Sequence, residues 1–494
     1  MDSYLLGIDV GTTGTKSLLF KSSGELVGHA YRGYPTATPA VGRSEQNADD
    51  WWEAVVATVR QVCADPEVSA GVRGISLSLQ GGTMVPVDEK FRPLRPAMVW
   101  SDNRCQEQMK HFASEVGDSD TLYRKTGWGL GPGLNLMQIR WMREQEPELF
   151  QKCAMFLSVP DYISYKMTGI PAIDLSDLGI NQLGNVESGD YDDELLAFAG
   201  ITRKQLPKIC RSGEPIGRLT PEAAKELGLT TDVVLSAGAH DQYAVALGAG
   251  ACKAGDILIG TGTCWAITCI GDAADFESGL SQSVAAVPGM WGSLWSLSSG
   301  GACLEWLRKK LFADTDGSLI SYDDINTQAE KRVAAGEGLF FYPFTGRSTL
   351  EKGFQTGSFV GLDMSHDRFH MVRAVMEGVA FQAVWMLEAF KVRPAETGLI
   401  LTGGATNSPL WCQIVADIAG LPVRLPKVAD MACLGAAVLA GVGCGIYKDA
   451  AEGCGKLCVG ERVVYPDPEM TAKYKVWTEQ YRKTARILGD IYAL

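Results

Sequence analysis

The sequence predicts an α/β protein built from two domains of one kind. Three observations predict it. At 494 residues the chain exceeds what one hydrophobic core organises, and a prior of roughly 100–200 residues per domain gives two large units or three smaller ones. It opens with a strand, a Gly/Thr hairpin and a second strand. The same pattern returns half a chain later, which points to a duplicated domain.

Taken in order, Tyr4 to Asp9 reads as a buried strand that breaks at Gly11-Thr12-Thr13-Gly14 and resumes from Lys16 to Phe20. Ser22-Ser23-Gly24 turns the chain into a third strand, Glu25 to His29. A helix follows, with Asn47 as its cap, Asp49 and Asp50 in the first turn, and Trp52, Val55, Val56, Val59 and Val62 on one face. Val72 to Leu79 is a strand ending at Gln80-Gly81-Gly82, and Leu94 to Trp100 leads into the loop Ser101-Asp102-Asn103-Arg104. The apolar and small residues from Val233 to Ala237 form a strand that runs into Gly238-Ala239-His240-Asp241-Gln242. Gly248, Gly250 and Gly255 loosen the composition between residues 245 and 255, dividing the chain into domains 1–248 and 249–494. The second hairpin is Asp256 to Ile267, turning at Gly260-Thr261-Gly262-Thr263. Helices from Arg368 to Phe390 and from Pro409 to Ala419 flank the strand Gly398 to Leu401 and its Gly403-Gly404 turn, and residues 446–494 read as a helical cap.

Composition narrows the function. Apolar residues at 46% and charged residues at 21% are the balance of a folded globular chain. A net charge of −13 with no Lys/Arg run disfavours a nucleic-acid partner or an anionic membrane surface, which need a positive footprint. The 13 cysteines show no paired CxxC spacing and read as reduced thiols. With no basic apolar leader and no bilayer-length apolar run, the expectation is a cytoplasmic protein, with a homodimer left open.

Three Gly/Thr segments suit phosphate chemistry. In Gly7-Ile8-Asp9-Val10-Gly11-Thr12-Thr13-Gly14-Thr15-Lys16, small residues let backbone N–H groups face an anion, Thr hydroxyls add donors and Lys16 adds charge. Asp9 at the strand end could hold Mg2+ directly or through water. The segment is not a Walker loop, and Gly248-Ala249-Gly250 does not continue as a dinucleotide fingerprint because position 253 is Lys. Gly260-Thr261-Gly262-Thr263 is a partner turn, and Thr402-Gly403-Gly404-Ala405-Thr406-Asn407-Ser408 is a strand-to-helix turn whose bare glycines let a flat base approach. Asp241 reads either as a helix cap or as a carboxylate that orients a hydroxyl.

With these motifs the whole chain, from about residue 4 to about residue 445, resembles the FGGY carbohydrate kinases, which share the ATPase core of actin and hexokinase. Gly357-Ser358-Phe359-Val360-Gly361-Leu362, followed by His370-Met371 and Ala374-Val375-Met376-Glu377, is similar to the family's C-terminal signature. Asp161 to Gly169 with Asp174-Leu175-Ser176-Asp177, and Glu45-Gln46 ahead of Asp50-Trp51-Trp52, resemble the xylulokinase branch. The resemblance implies two ribonuclease-H-like domains with an interdomain cleft, sugar on the N-terminal side and ATP with Mg2+ on the C-terminal side. It implies Asp241 as the base. It assigns Thr12, Thr13, Lys16, Thr261, Gly262 and Thr263 to the phosphates, Gly301, Gly404 and Asn407 to the nucleotide, and Gln80, Gly81, Gly82, Trp100, Asp102, Arg104 and Gln242 to the sugar.

Some positions depart from the family. Gly81-Gly82 stands where xylulokinases carry Met-His and glycerol kinases Arg-Glu, Gly133 falls near the pocket Tyr of glycerol kinases, and Gln138 replaces a signature Lys. These departures imply a roomier pocket, against glycerol and against D-xylulose itself. The expected activity is phosphorylation of a sugar hydroxyl, xylulokinase-like, on a ketose such as a pentulose. The alternatives are a tetritol or aldonate kinase, or a non-catalytic nucleotide switch or sugar sensor.

Overall fold

A computed structural model describes residues 2–313, 318–344, 356–391, 394–428 and 430–492. The chain forms two compact units. The first takes Met1–Cys252, Asp272–Gly292 and Asp430–Val459, and the second takes Lys253–Gly271, Ser293–Ala429 and Gly460–Leu494. The chain first leaves the first unit after Cys252 and then returns to it twice.

In the first unit, strands Pro215–Arg218, Val234–Ser236, Val72–Leu79, Tyr4–Val10, Gly14–Lys21 and Leu26–Gly33 lie side by side in that order. The opening three are an antiparallel meander, and Val72–Leu79 and then Val234–Ser236 join in parallel. In the second unit the order is Trp291–Leu297, Trp265–Gly271, Ile257–Thr261, Leu399–Gly403, Val423–Pro426 and Glu461–Val464. Here too a hairpin strand takes two successive parallel neighbours and then an antiparallel edge. The likeness of the two hairpins is therefore a repeat of topology. Residues 446–494 are more than a helical cap, because Glu461–Val464 is the edge strand of the second sheet.

Packing follows the sequence pattern. Helix Ala48–Val62 starts at Asn47, whose side chain accepts from Asp49 N, and it buries Trp51, Trp52, Val55 and Val59. Helix Met431–Gly443 is apolar on all sides and is covered within the first unit by the strands Tyr4–Val10 and Val72–Leu79 and by helix Asp241–Gly248. Glycine makes that contact close: a Cβ at Gly7 would stand 1.8 Å from Cys433 O, and one at Gly435 would stand 2.0 Å from Ala244 O. Among the described residues, no helix is long and apolar enough to cross a membrane.

Candidate functional site

Parallel strands bring the first unit's chemistry to one edge. Val10 pairs with Leu79, and Leu79 pairs with His240, so three strands end level. The residues that leave them are Gly11, Gln80 and Asp241. The carboxyl ends of parallel strands are where open α/β sheets place ligands. Asp241 is the first residue of helix Asp241–Gly248, and the cap position belongs to His240, so the cap reading of Asp241 does not hold. Its side chain is 37% exposed, with His240 Nε2 3.5 Å from Oδ1. Gln242 follows, half-buried on the same turn.

Asp9 is half-buried, and its Oδ1 accepts from Ser78 Oγ at 2.8 Å. Burial pushes its carboxyl up to about 7, the Ser78 hydrogen bond opposes this, and the negative charges of Asp430 and Asp241 add to it. Lys16, paired with Asp9 across the hairpin, holds Asp430 Oδ2 at 2.9 Å. Partial burial would lower the Lys16 pKa, yet the Asp430 pairing holds it above its usual value. The sequence reading missed Asp430. It caps helix Met431–Gly443 by accepting from Cys433 N, so a cap signature was visible ahead of an apolar run, but its ion pair was not.

The Gly/Thr loop is held by its carbonyls. Tyr34 Oη donates to Gly11 O at 2.5 Å, Gln46 Nε2 to Thr12 O at 2.6 Å, and Tyr31 Oη to Thr13 O at 3.2 Å. With three of its carbonyls engaged, with Gly11 N on Gly14 O and with the Thr12 hydroxyl on Gln80, the loop turns toward an anion with its backbone N–H groups at Thr12 and Thr13 and the exposed Thr13 hydroxyl. Thr12 and Lys16 are half-buried and Thr13 is exposed.

Several expected sugar contacts are engaged internally. Gln80 is buried: its Oε1 accepts from Thr12 and Thr83, and its Nε2 donates to Gln46 Oε1 and Gly11 O. Asp102 is fully buried, accepting from Ser44 N and from Arg104. Arg104 also binds Glu45, which binds Arg95, and both guanidinium groups lie against Trp141. Asp102 and Arg104 are thus partnered within the fold, as buried charges must be. Trp100 differs: it is 50% exposed, and its Nε1 donates to Thr12 Oγ1 at 3.0 Å.

The roomier pocket expected from Gly81-Gly82 is corrected. A Cβ at Gly81 would stand 2.8 Å from His240 Cδ2 and 2.9 Å from Ile180 Cδ1. One at Gly82, whose φ is 70°, would stand 2.8 Å from Leu134 Cδ2 and 3.2 Å from Trp100 Cβ. Neighbouring side chains fill the space these glycines release. Gln138 is buried and donates to both Gly82 O and Gly133 O, so it ties two loops together.

The second unit carries a cavity of about 770 Å³. All six residues expected here, Thr261, Gly262, Thr263, Gly301, Gly404 and Asn407, line it. Thr261 is buried, and its hydroxyl donates to Thr402 O at 2.5 Å and accepts from Ala405 N at 3.1 Å, so it braces the Gly403-Gly404 turn and has no hydroxyl proton left for a phosphate. Gly262 and Thr263 are exposed, and their carbonyls accept from Gly301 N and Ala302 N. Gly403 has a φ of 90°, and a Cβ there would stand 2.9 Å from the Thr261 backbone. Trp306, Tyr322, Asn326 and Trp411 also line the cavity and were missed. Exposed aromatics such as Trp306 and Tyr322, and a core aromatic such as Trp411, give no separate signal at helical positions until the fold gathers them. Apolar walls with a few polar groups suit a nucleoside.

Comparison with known proteins agrees. The N-terminal domain of the FGGY family of carbohydrate kinases matches residues 4–248, and its C-terminal domain matches residues 255–444. Gluconokinase of Bacillus subtilis (strain 168) is 32% identical over 451 residues, 89% of this chain and 87% of that protein. Xylulose kinase of the same strain is 28% identical over 487 residues, 97% of this chain and 96% of that protein. The crystal structure of xylulose kinase from Rhodospirillum rubrum has a TM-score of 0.90 at 27% identity, covering 99% of this chain and 100% of that one. Two matched domains, repeated sheets and a Gly/Thr turn in each place this sugar kinase in the FGGY family of carbohydrate kinases.

Proposed function

We propose that this kinase moves the γ-phosphate of ATP to a hydroxyl of a small neutral ketose, a pentulose or a close relative, with Asp241 as the base. One observation carries the reading: Asp241 leaves the same sheet edge as Asp9 and the Gly/Thr loop, with its carboxylate accessible. The acceptor hydroxyl gives its proton to Asp241 as its oxygen bonds phosphorus. The bond from phosphorus to the ADP oxygen breaks, and Asp241 then releases the proton to solvent.

Asp9 is the residue that suits a divalent cation: burial, with smaller additions from the charges of Asp430 and Asp241, raises its pKa, and a cation would favour its ionised form, while among the described residues no three acidic, His or Cys groups gather around one metal position. Asp9 would hold Mg2+, directly or through water, and the ion would supply charge neutralisation on the phosphates. Thr12, Thr13 and Lys16 contact the phosphate oxygens. Gly262, Thr263, Gly301, Gly404 and Asn407 cradle the nucleotide, in a cavity whose size suits a nucleoside.

Charge supports a neutral acceptor over a sugar acid. Lys16 is paired with Asp430, and Arg95 and Arg104 are engaged with Glu45 and Asp102. A carboxylate would meet acids near Asp241 and cations already committed. The gluconokinase similarity favours the second reading, a sugar acid. The test is ADP release with Mg·ATP against D-xylulose, L-xylulose, D-ribulose, erythritol, D-gluconate and glycerol. A pentulose is expected to turn over fastest. D-Gluconate as the best acceptor overturns the neutral-ketose reading. ADP release that ignores every sugar points to a switch, and none with any sugar points to a sensor.

A further inference from the structure

Trp100 is tied at two points to one acceptor. Its indole Nε1 donates to Thr12 Oγ1 at 3.0 Å, and Thr12 Oγ1 donates to Gln80 Oε1 at 3.2 Å. Its backbone N donates to Thr83 Oγ1 at 3.4 Å, and Thr83 Oγ1 donates to the same Gln80 Oε1 at 3.4 Å. The backbone beneath is fixed. A Cβ at Gly133 would stand 1.9 Å from Trp100 O, and Gln138 Nε2 clamps the carbonyls of Gly82 and Gly133. Yet the residue is half exposed, so the indole has one edge on a hydrogen-bond circuit that leads to the buried Gln80 and the rest of its surface open. A Trp held for packing alone would not need its N–H on the hydroxyl of the Gly/Thr loop.

We propose that Trp100 couples sugar binding to phosphate binding through Thr12. This rests on the reading above, in which the ring takes the sugar and Thr12 takes a phosphate oxygen. A sugar lying on the indole face restricts the ring and holds its N–H on Thr12 Oγ1. A hydroxyl that accepts a hydrogen bond becomes a stronger donor, because chained bonds polarise one another. Thr12 then turns its proton from Gln80 Oε1 to the phosphate. Gln80 Oε1 keeps Thr83 as a donor, so the exchange leaves no buried acceptor bare. Without sugar, that one exposed hydrogen bond is what keeps the indole N–H on Thr12, and the hydroxyl stays on Gln80. Sugar therefore tightens nucleotide binding, and nucleotide tightens sugar binding by the same factor.

The test uses the full-length protein and the dissociation constant of Mg·AMP-PNP, measured with and without the sugar of highest turnover among D-xylulose, L-xylulose, D-ribulose and D-gluconate. In the unaltered protein the sugar is expected to tighten binding by about fivefold or more, the lower range of measured couplings. Trp100→Phe keeps an aromatic face and loses the N–H. In it the sugar effect on nucleotide should fall to about onefold, and the nucleotide effect on sugar binding should fall with it by the same factor. A Trp100→Phe/Thr12→Val double mutant should bind nucleotide as Thr12→Val alone does, since both remove one linkage. Full coupling in Trp100→Phe, or no sugar effect in the unaltered protein, overturns the proposal. Trp100→Ala separates the proposal from its foundation. A sugar KM raised about tenfold supports the ring contact, and an unchanged KM removes the sugar assignment itself.

Discussion

The two Gly/Thr turns share residue types and strand context but are built from opposite directions. In the first unit, side chains from Tyr34, Gln46 and Tyr31 take the loop's carbonyls, and acids stand close by. In the second, backbone N–H groups of Gly301 and Ala302 take the carbonyls, the Thr261 hydroxyl is spent on bracing, and aromatic side chains line the neighbouring cavity. A Gly/Thr hairpin therefore says that an anion or a flat ligand can approach, while the groups behind it decide which. On the proposed reading, the first turn is wired for reaction and the second for holding.

That contrast breaks most sharply at Asp241. Asp241→Asn keeps the shape and removes the proposed base, so kcat should fall by about a thousandfold. Nucleotide affinity, to which Asp241 is not proposed to contribute, should stay within about twofold, read by titration with Mg·AMP-PNP. A large loss of affinity with kcat retained would reverse the division of labour.

Asp9 comes next. Asp9→Asn should cost about a hundredfold in turnover and abolish any gain from raising Mg2+. Its pKa is raised on folding from 3.8 to about 7, so the protonated form favours the folded state. The stability this gives is present at low pH and lost as pH rises through about 7. Metal-free Asp9→Asn should therefore melt above the unaltered protein at pH 8, by on the order of 2–4 kcal/mol, with the gap closing toward pH 5. Added Mg2+ should raise the melting temperature of the unaltered protein and leave Asp9→Asn where it was.

Much of this was legible in the sequence, and the failures share a cause. Strand Val72–Leu79 and helix Pro409–Ala419 were read to the residue because apolar runs and Pro or Gly boundaries are local signals. The cavity-lining residues of the second unit were placed for the same reason: each sits in a Gly-rich turn. What the sequence hid was long-range. Asp430 meets Lys16 from the far end of the chain. Ile180 and His240 fill the space at Gly81, so a missing side chain did not mean a larger pocket. Asp102 and Arg104 carry charge, which reads as contact with ligand until their partners Ser44 and Glu45 are seen.

The second turn is tested at Gly403. Gly403→Ala puts a Cβ 2.9 Å from the Thr261 backbone at a φ of 90°, so the turn must shift. Nucleotide KM should rise by about tenfold and stability fall by about 1–3 kcal/mol, while sugar KM holds. A change in sugar KM with nucleotide KM unaffected would contradict the assignment of this turn to holding.

The smallest change tests the wiring of the first turn. Tyr34→Phe removes one donor, the hydroxyl on Gly11 O, and leaves the ring in place. Gly11 O keeps a weak donor in Gln80 Nε2 at 3.5 Å, so the stability cost should be about 1 kcal/mol. If the carbonyls are held so that N–H groups face the phosphate, a loosened Gly11 should lower kcat by about threefold to tenfold at saturating ATP and sugar. Stability and turnover part company here, because a purely structural tyrosine would shift the melting curve and leave saturated turnover alone. Tyr34→Phe with a lowered melting temperature and unchanged kcat would make the first turn as much a scaffold as the second.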